Sequence, residues 1–268
     1  MPGMAQDWES IAGLLAGTVL LRPYVFVFLL AFLAVAGREL GWRRATVWLC
    51  WGWTVAFVAE YSSTRTGIPF GLYHYTGATA DQELFISNVP FFDPLSFPFL
   101  AYSSWCVARI ALGPGKRRAS ALLGGVLMML ADIVIDPLAV IGEKWFLGKL
   151  FYYAEPGFYF GVPLSNFAAW ALVGWAIVGG WLWMAGRSPR LGSPWAGTAL
   201  YYGVLVFNLG ITAWTGEGKL LGIGILLHVA VIMVLYRLNA ISAVRGWAVD
   251  PRGGAQATIT TVTDEGGS

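Results

Sequence analysis

The sequence predicts an all-α polytopic transmembrane helical bundle of about seven spans. Three observations carry that reading. Hydrophobic residues make up 57% of the 268 positions and charged residues 12%, with a mean hydropathy of +0.64; a soluble domain carries roughly 25% charge. The apolar residues gather into segments close to the roughly 20 residues that a spanning helix needs. The connecting loops alternate between rich and poor in Lys and Arg, as the two sides of a membrane demand.

Residues 1–18 read as an N-terminal interfacial segment, in which Ser10–Gly17 either lies at the membrane surface or lengthens the first helix. Asp7 and Glu9 stand where a signal peptide carries its basic residues, so the first apolar run is expected to stay as a span. Spans are expected at Val19–Ala36, Thr46–Glu60, Phe91–Leu112, Ala119–Ile141, Leu164–Ala185, Pro194–Trp214 and Leu220–Tyr236, within a membrane domain of residues 19–237. Arg38, Arg43, Arg44, Lys116, Arg117, Arg118, Arg187, Arg190, Arg237, Arg245 and Arg252 fall on one side; Arg65, Lys144, Lys149 and Lys219 fall on the other. That asymmetry puts the N-terminus outside and the C-terminus in the cytoplasm. Residues 238–268 read as a polar, disordered cytoplasmic tail.

The basic residues are not interleaved with aromatics on one polar face, which argues against nucleic-acid binding. Cys50 and Cys106 lie in apolar runs and read as small hydrophobes. His74 and His228 have no metal-ligand spacing, so no metal site is expected. His228 reads as a packing residue within the last span. Two long loops, Ser62–Pro90 and Gly142–Pro163, are rich in Gly, Pro and aromatics. They read as an interfacial aromatic belt, as lids folded back over a cavity, or as both.

The chemistry gathers in Leu130–Trp170. Asp132 and Asp136 are four residues apart in an apolar run and share one helix face. A carboxylate in the bilayer core costs about 3 kcal/mol on insertion scales, so such acids face a protein interior or a wet cavity and mark a functional site. At about 1.5 Å of rise per residue, Glu60, Asp132 and Asp136 all reach the outer third of a core about 30 Å thick. Asn166 and Asp93 enter from the same side. Pro137 is expected to kink or end the helix beside Asp136 and to free a backbone carbonyl there. Plainer readings exist: Glu60 and Asp136 as helix-end acids, Asp93 before Pro94 as turn chemistry, Asp132 and Asn166 as bonds between helices. An apolar setting favours the neutral carboxyl, which can act as an acid, while an ionised neighbour acts as a base. Aromatic faces stabilise a cation between them. Together these suit protonation of a carbon–carbon double bond in a hydrophobic substrate.

Three motifs resemble a known family. They are Glu60 followed by Thr66-Gly67-Ile68-Pro69-Phe70-Gly71-Leu72-Tyr73-His74-Tyr75-Thr76, then Asp132-Ile133-Val134-Ile135-Asp136-Pro137, then Gly161-Val162-Pro163-Leu164-Ser165-Asn166-Phe167. In this order they resemble the CruF-type carotenoid biosynthesis membrane proteins, the carotenoid 1,2-hydratases of bacteria and archaea. The likeness runs from about Glu60 to Trp170 and, by span pattern, over most of the chain. Ala168-Ala169 before Trp170 departs from it where a glycine is expected, and so does Asp93. The resemblance implies water addition across the terminal C-1,C-2 double bond of an acyclic carotenoid end, without a cofactor. A carboxylic acid, expected to be Asp132, protonates C-2. The tertiary cation at C-1 is flanked by Tyr73, Tyr75, Trp145 or Trp170, and Asp136, Glu60 or Asn166 holds the attacking water. Asp93 joins the substrate-binding set. The implied partners are the lipid bilayer, the carotenoid and other carotenoid enzymes. Rival readings are a carotene cyclase, which excludes water after the same protonation, a transporter with an acid relay, and a carotenoid-binding protein without turnover. A retinal protein is excluded, because Leu220–Tyr236 contains no lysine for a Schiff base.

Overall fold

The computed structural model describes residues 2–142, 149–186 and 191–249. These residues form helices α1 (Pro2–Leu21), α2 (Pro23–Leu40), α3 (Trp42–Thr66), α4 (Ser96–Leu112), α5 (Arg117–Ile141), α6 (Leu164–Met184), α7 (Trp195–Trp214) and α8 (Gly218–Val249). Short strands β1 (Tyr73–Tyr75), β2 (Phe85–Ile86), β3 (Val89–Pro90) and β4 (Phe151–Tyr153) lie in the loops. The chain is an all-α polytopic bundle. Six helices, α2 and α4 to α8, are long and apolar enough to cross a membrane by length and composition. Helix α3 has 25 residues but carries Arg43, Arg44, Glu60 and Arg65 among Thr and Ser, which dilutes its apolar character.

The expected first span, Val19–Ala36, is divided between two helices. Pro23 is the cause: it cannot donate a backbone hydrogen bond, and its ring drives the preceding residue out of the helical region. Arg22 accordingly sits at φ −121° and ψ 45° before Pro23 starts α2. Its side chain turns inward to Glu83, with Nη2 2.6 Å from Oε1 and Nε 3.1 Å from Oε2. Both residues are fully buried. Thr79 also donates to Glu83, and the backbone of Leu84 donates to Thr18 Oγ1 at 2.9 Å. The loop after α3 is therefore tied to the junction of α1 and α2.

Pro137 lies inside α5, which runs through to Ile141, the expected end of that span. One other boundary shifts. Helix α8 continues to Val249, past the expected start of the tail at residue 238, because no Gly-Pro break follows Tyr236 until Asp250-Pro251. The rest of the expected tail, residues 250–268, lies outside the described residues.

Helices α4, α5 and α6 form the centre of the bundle. Helices α5 and α6 approach through small residues, as spans do where no hydrophobic force drives them together. A Cβ added to Gly125 would lie 2.4 Å from the Ala171 carbonyl oxygen, and one on Gly174 would lie 2.9 Å from Met128 Sδ. An aromatic layer of Trp48, Trp105, Trp181 and Tyr102 fills the bundle beside them. Its polar edges are satisfied: Trp48 Nε1 donates to the Pro98 carbonyl at 2.9 Å and Trp105 Nε1 to Ser120 Oγ at 3.1 Å. Near the other end of α2, Glu39 accepts from Tyr102 at 2.5 Å and from Arg109, joining α2 to α4. Cys106 is buried in this region, whereas Cys50 faces outward.

Gly125→Ala forces a methyl group into backbone that cannot yield. We expect a loss of about 1–3 kcal/mol, the usual cost of overpacking, read as a lower midpoint of thermal unfolding in detergent. Gly203→Ala, where a Cβ meets nothing within 4 Å, should leave the midpoint near that of the wild type.

Candidate active site

The two long aromatic loops fold onto each other. Strands β1 and β4 pair antiparallel with Tyr73 opposite Tyr153, His74 opposite Tyr152 and Tyr75 opposite Phe151. The pairing continues at both ends, where Thr76 N donates to Leu150 O and Ala154 N to Leu72 O, each at 2.9 Å. Alternation along a strand sends neighbouring side chains to opposite faces. Tyr73, Tyr75, Phe151 and Tyr153 thus share the inner face, with ring centroids 5.5–6.2 Å apart between strands and along them. His74 and Tyr152 pack on the outer face. Residues 72–76 and 150–154 of these loops fold back over a cavity. Gly71 enters the ribbon at φ 102°, a conformation that favours glycine.

Beneath the ribbon lies a cavity lined by Glu60, Phe70, Tyr73, Tyr75, Asp93, Phe97, Asp136, Phe151, Tyr153, Asn166 and Trp170. It leaves about 40 Å³ for the centres of water molecules, enough for two or three at about 10–15 Å³ each. Four carboxyl groups meet at or beside it. Tyr75 Oη lies 3.0 Å from Glu60 Oε2 and 2.5 Å from Asp93 Oδ2. Asn166 Nδ2 donates to Asp132 Oδ2 at 3.0 Å and to Asp136 Oδ2 at 2.6 Å. Burial, reinforced by the carboxyl groups nearby, pushes the Tyr73, Tyr75 and Tyr153 hydroxyls above the ordinary phenol range. They are neutral hydrogen-bonding groups at any ordinary pH.

A second, more apolar cavity adjoins the first and shares Asp93, Asp136, Phe151 and Trp170 with it. It holds about 100 Å³ by the same measure and runs between Tyr24, Val25 and Phe28 of α2, Phe99 and Leu100 of α4, Ile135 and Ala139 of α5, and Val204 and Asn208 of α7. Phe97 and Trp170 stack on the wall of the polar chamber, 4.2 Å apart and 11° from parallel.

The structure brings Glu60, Asp93, Asp136, Asn166, Tyr73, Tyr75 and Trp170 to one chamber. Glu60 is not a helix-end acid: α3 runs on to Thr66, and the residue is 3% exposed. Asp132 is fully buried but is not among the residues that line the chamber; it is held there by Asn166 and meets Asp136 directly. Trp145 lies outside the described residues. His228 is buried in α8, bonded through Nδ1 to the Gly224 carbonyl at 2.9 Å, away from the chamber. Among the described residues no group of three or more His, Cys, Asp and Glu is arranged to hold a metal ion. Phe70, Phe97, Phe151 and Tyr153 are lining residues that sequence reasoning did not select. The signal for Phe151 and Tyr153 was alternation with Tyr152, which matches that of Tyr73-His74-Tyr75.

Residues 15–233 match the model of a family described as carotenoid biosynthesis protein. A bisanhydrobacterioruberin hydratase of Haloarcula japonica is 32% identical over 171 residues, a match covering 62% of this chain and 55% of that protein. The chain thus aligns with just over half the length of that relative. No solved structure matches the chain.

Asn166→Leu removes the donor shared by Asp132 and Asp136. Buried acceptors left unsatisfied cost about 1–3 kcal/mol, more when charged. We expect the unfolding midpoint in detergent to fall, and to recover in part when Asp132→Asn is added.

Proposed function

The chain belongs to the carotenoid biosynthesis protein family, and from that premise we propose that it is a carotenoid hydratase, adding water across the C-1,C-2 double bond of an acyclic carotenoid end. One observation carries the reading: a water-sized chamber with acids on its wall joins an apolar cavity between the helices. In this reading a polyene end occupies the apolar cavity, with its last double bond towards the acids that the two cavities share, Asp93 and Asp136. The hydratase name of the aligned relative supports the same reaction class.

In this reading a chamber carboxyl gives its proton to C-2, and the π electrons form the new C–H bond. Positive charge develops at C-1 before the stacked faces of Phe97 and Trp170 and the ribbon rings, which attract a cation through their quadrupoles. A water on Asp136 attacks C-1 and yields a proton to that carboxylate, giving a tertiary alcohol. Asn166 fixes Asp136 by donating to it, and Asp132 takes the second proton of the same amide. No electrons are gained or lost in the net reaction. The proposed setting is a bacterial inner membrane with the N-terminus outside and the C-terminus cytoplasmic, in the company of other carotenoid enzymes; the distribution of Lys and Arg supports that orientation.

Expression in a lycopene-producing bacterium tests the reaction. The expected product is a more polar pigment heavier by one water. A pigment of unchanged mass and altered spectrum would replace hydration with cyclisation. In the same host, Asp136→Asn should lower product formation by about 100-fold or more, the usual contribution of a general acid or base.

A further inference from the structure

The two bridges between the acids differ in their protons. The Asn166 amide carries two hydrogens and gives one to each of Asp132 and Asp136, which also meet each other directly. The Tyr75 phenol carries one, yet its oxygen stands at hydrogen-bond distance from both Glu60 and Asp93. Were both acids ionised, one contact would set a carboxylate oxygen against the phenol oxygen with no hydrogen between them. A proton therefore resides on one of the two carboxyl groups.

We propose that Glu60, Tyr75 and Asp93 form the proton store of the site, with Glu60 the acid that protonates the substrate and Tyr75 its positioning residue. The proposal rests on the hydratase reading and assigns the donor that the reading leaves open. Placement chooses between the two acids. Arg22, paired with Glu83, lies over the ring of Phe92, with its guanidinium carbon 4.3 Å from the centroid, so the pair adjoins the Asp93 side of the trio with Arg22 the stronger influence on Asp93. The contact from Tyr75 to Asp93 is the shorter of the two, 2.5 Å against 3.0 Å. Tyr75 donates to the Asp93 carboxylate, and Glu60 keeps its own proton and donates to the phenol oxygen. Asp132, the acid the sequence favours, is held by Asn166 and does not line the chamber.

The proton balance closes inside the site. The Glu60 O–H bond breaks as the C–H bond at C-2 forms, leaving Glu60 a carboxylate. Water forms the C–O bond at C-1, and its proton passes to Asp136. Chamber water carries that proton to Asp93. Tyr75 then gives its own proton to Glu60 and takes the one on Asp93, which restores the starting state. One water is consumed and no proton is gained or lost.

The test uses the full chain in membranes of the lycopene-producing host and, purified, infrared spectra of the carboxylic-acid carbonyl band. Tyr75→Phe should lower hydrated product by about 100-fold or more, while carotenoid still co-purifies with the protein. In the same variant one component of the carbonyl band should move, because Glu60 has lost its acceptor. Glu60→Gln should remove that component, and Asp132→Asn should leave it in place. Wild-type turnover in Tyr75→Phe, or that component lost in Asp132→Asn and kept in Glu60→Gln, would overturn the proposal. If the wild type hydrates no acyclic carotenoid, the hydratase reading fails, and the band pattern still decides where the proton resides.

Discussion

Four carboxyl groups stand in an interior that cannot solvate them. An unpaired charge there costs several kcal/mol, so each acid must meet a donor, and the donors come from elsewhere in the chain. Asn166 reaches from the first turn of α6 to two acids on α5. Tyr75 reaches from β1 to an acid on α3 and to one in the turn before α4. The same cluster thereby fixes the relative positions of α3, α4, α5, α6 and the ribbon. Its polar atoms are few, and its walls are aromatic, which keeps the local dielectric low and makes each hydrogen bond count for more.

The apolar half of the site follows from a different constraint. In the proposed hydration, a developing carbocation must be stabilised without being quenched by bulk water. Rings do this at little cost in hydration, and the chamber admits only a few waters at a time. The Phe97–Trp170 stack joins α4 to α6 at the place where the polar chamber meets the apolar cavity. The Arg22–Glu83 pair ties the loop after α3 to the start of α2. That pair is buried on both sides, so removing one partner leaves the other as an isolated charge.

The helices were legible because apolar runs of spanning length have few alternatives, and the acids because a charge in such a run is conspicuous. The spacing of Asp132 and Asp136 placed them on one face but did not say which one meets the chamber. Four residues turn a helix by about 40° more than a full rotation, and that offset separates a lining acid from one outside the chamber wall. Tyr75 read as an aromatic wall, and its hydroxyl proved to be the link between two acids. The ribbon was hidden because each strand has three residues, too short for a periodic signal. Pro23 was a visible break within the first apolar run. The inward turn of Arg22 was not visible, since its partner Glu83 lies in a loop with no pattern of its own.

The ribbon has a consequence for how the protein is made. Its strands are separated in the chain by α4 and α5, and the last polar partner, Asn166, follows the second strand. During synthesis the Tyr75 bridge between Glu60 and Asp93 is therefore complete in the chain before Asp132, Asp136 and Asn166 exist. The lid can close once β4 emerges, whereas Asp132 and Asp136 wait for the start of α6 to receive their shared donor. A chain arrested before α6 has the ribbon and one bridge but not the other, which makes the finished site a checkpoint for the first six helices.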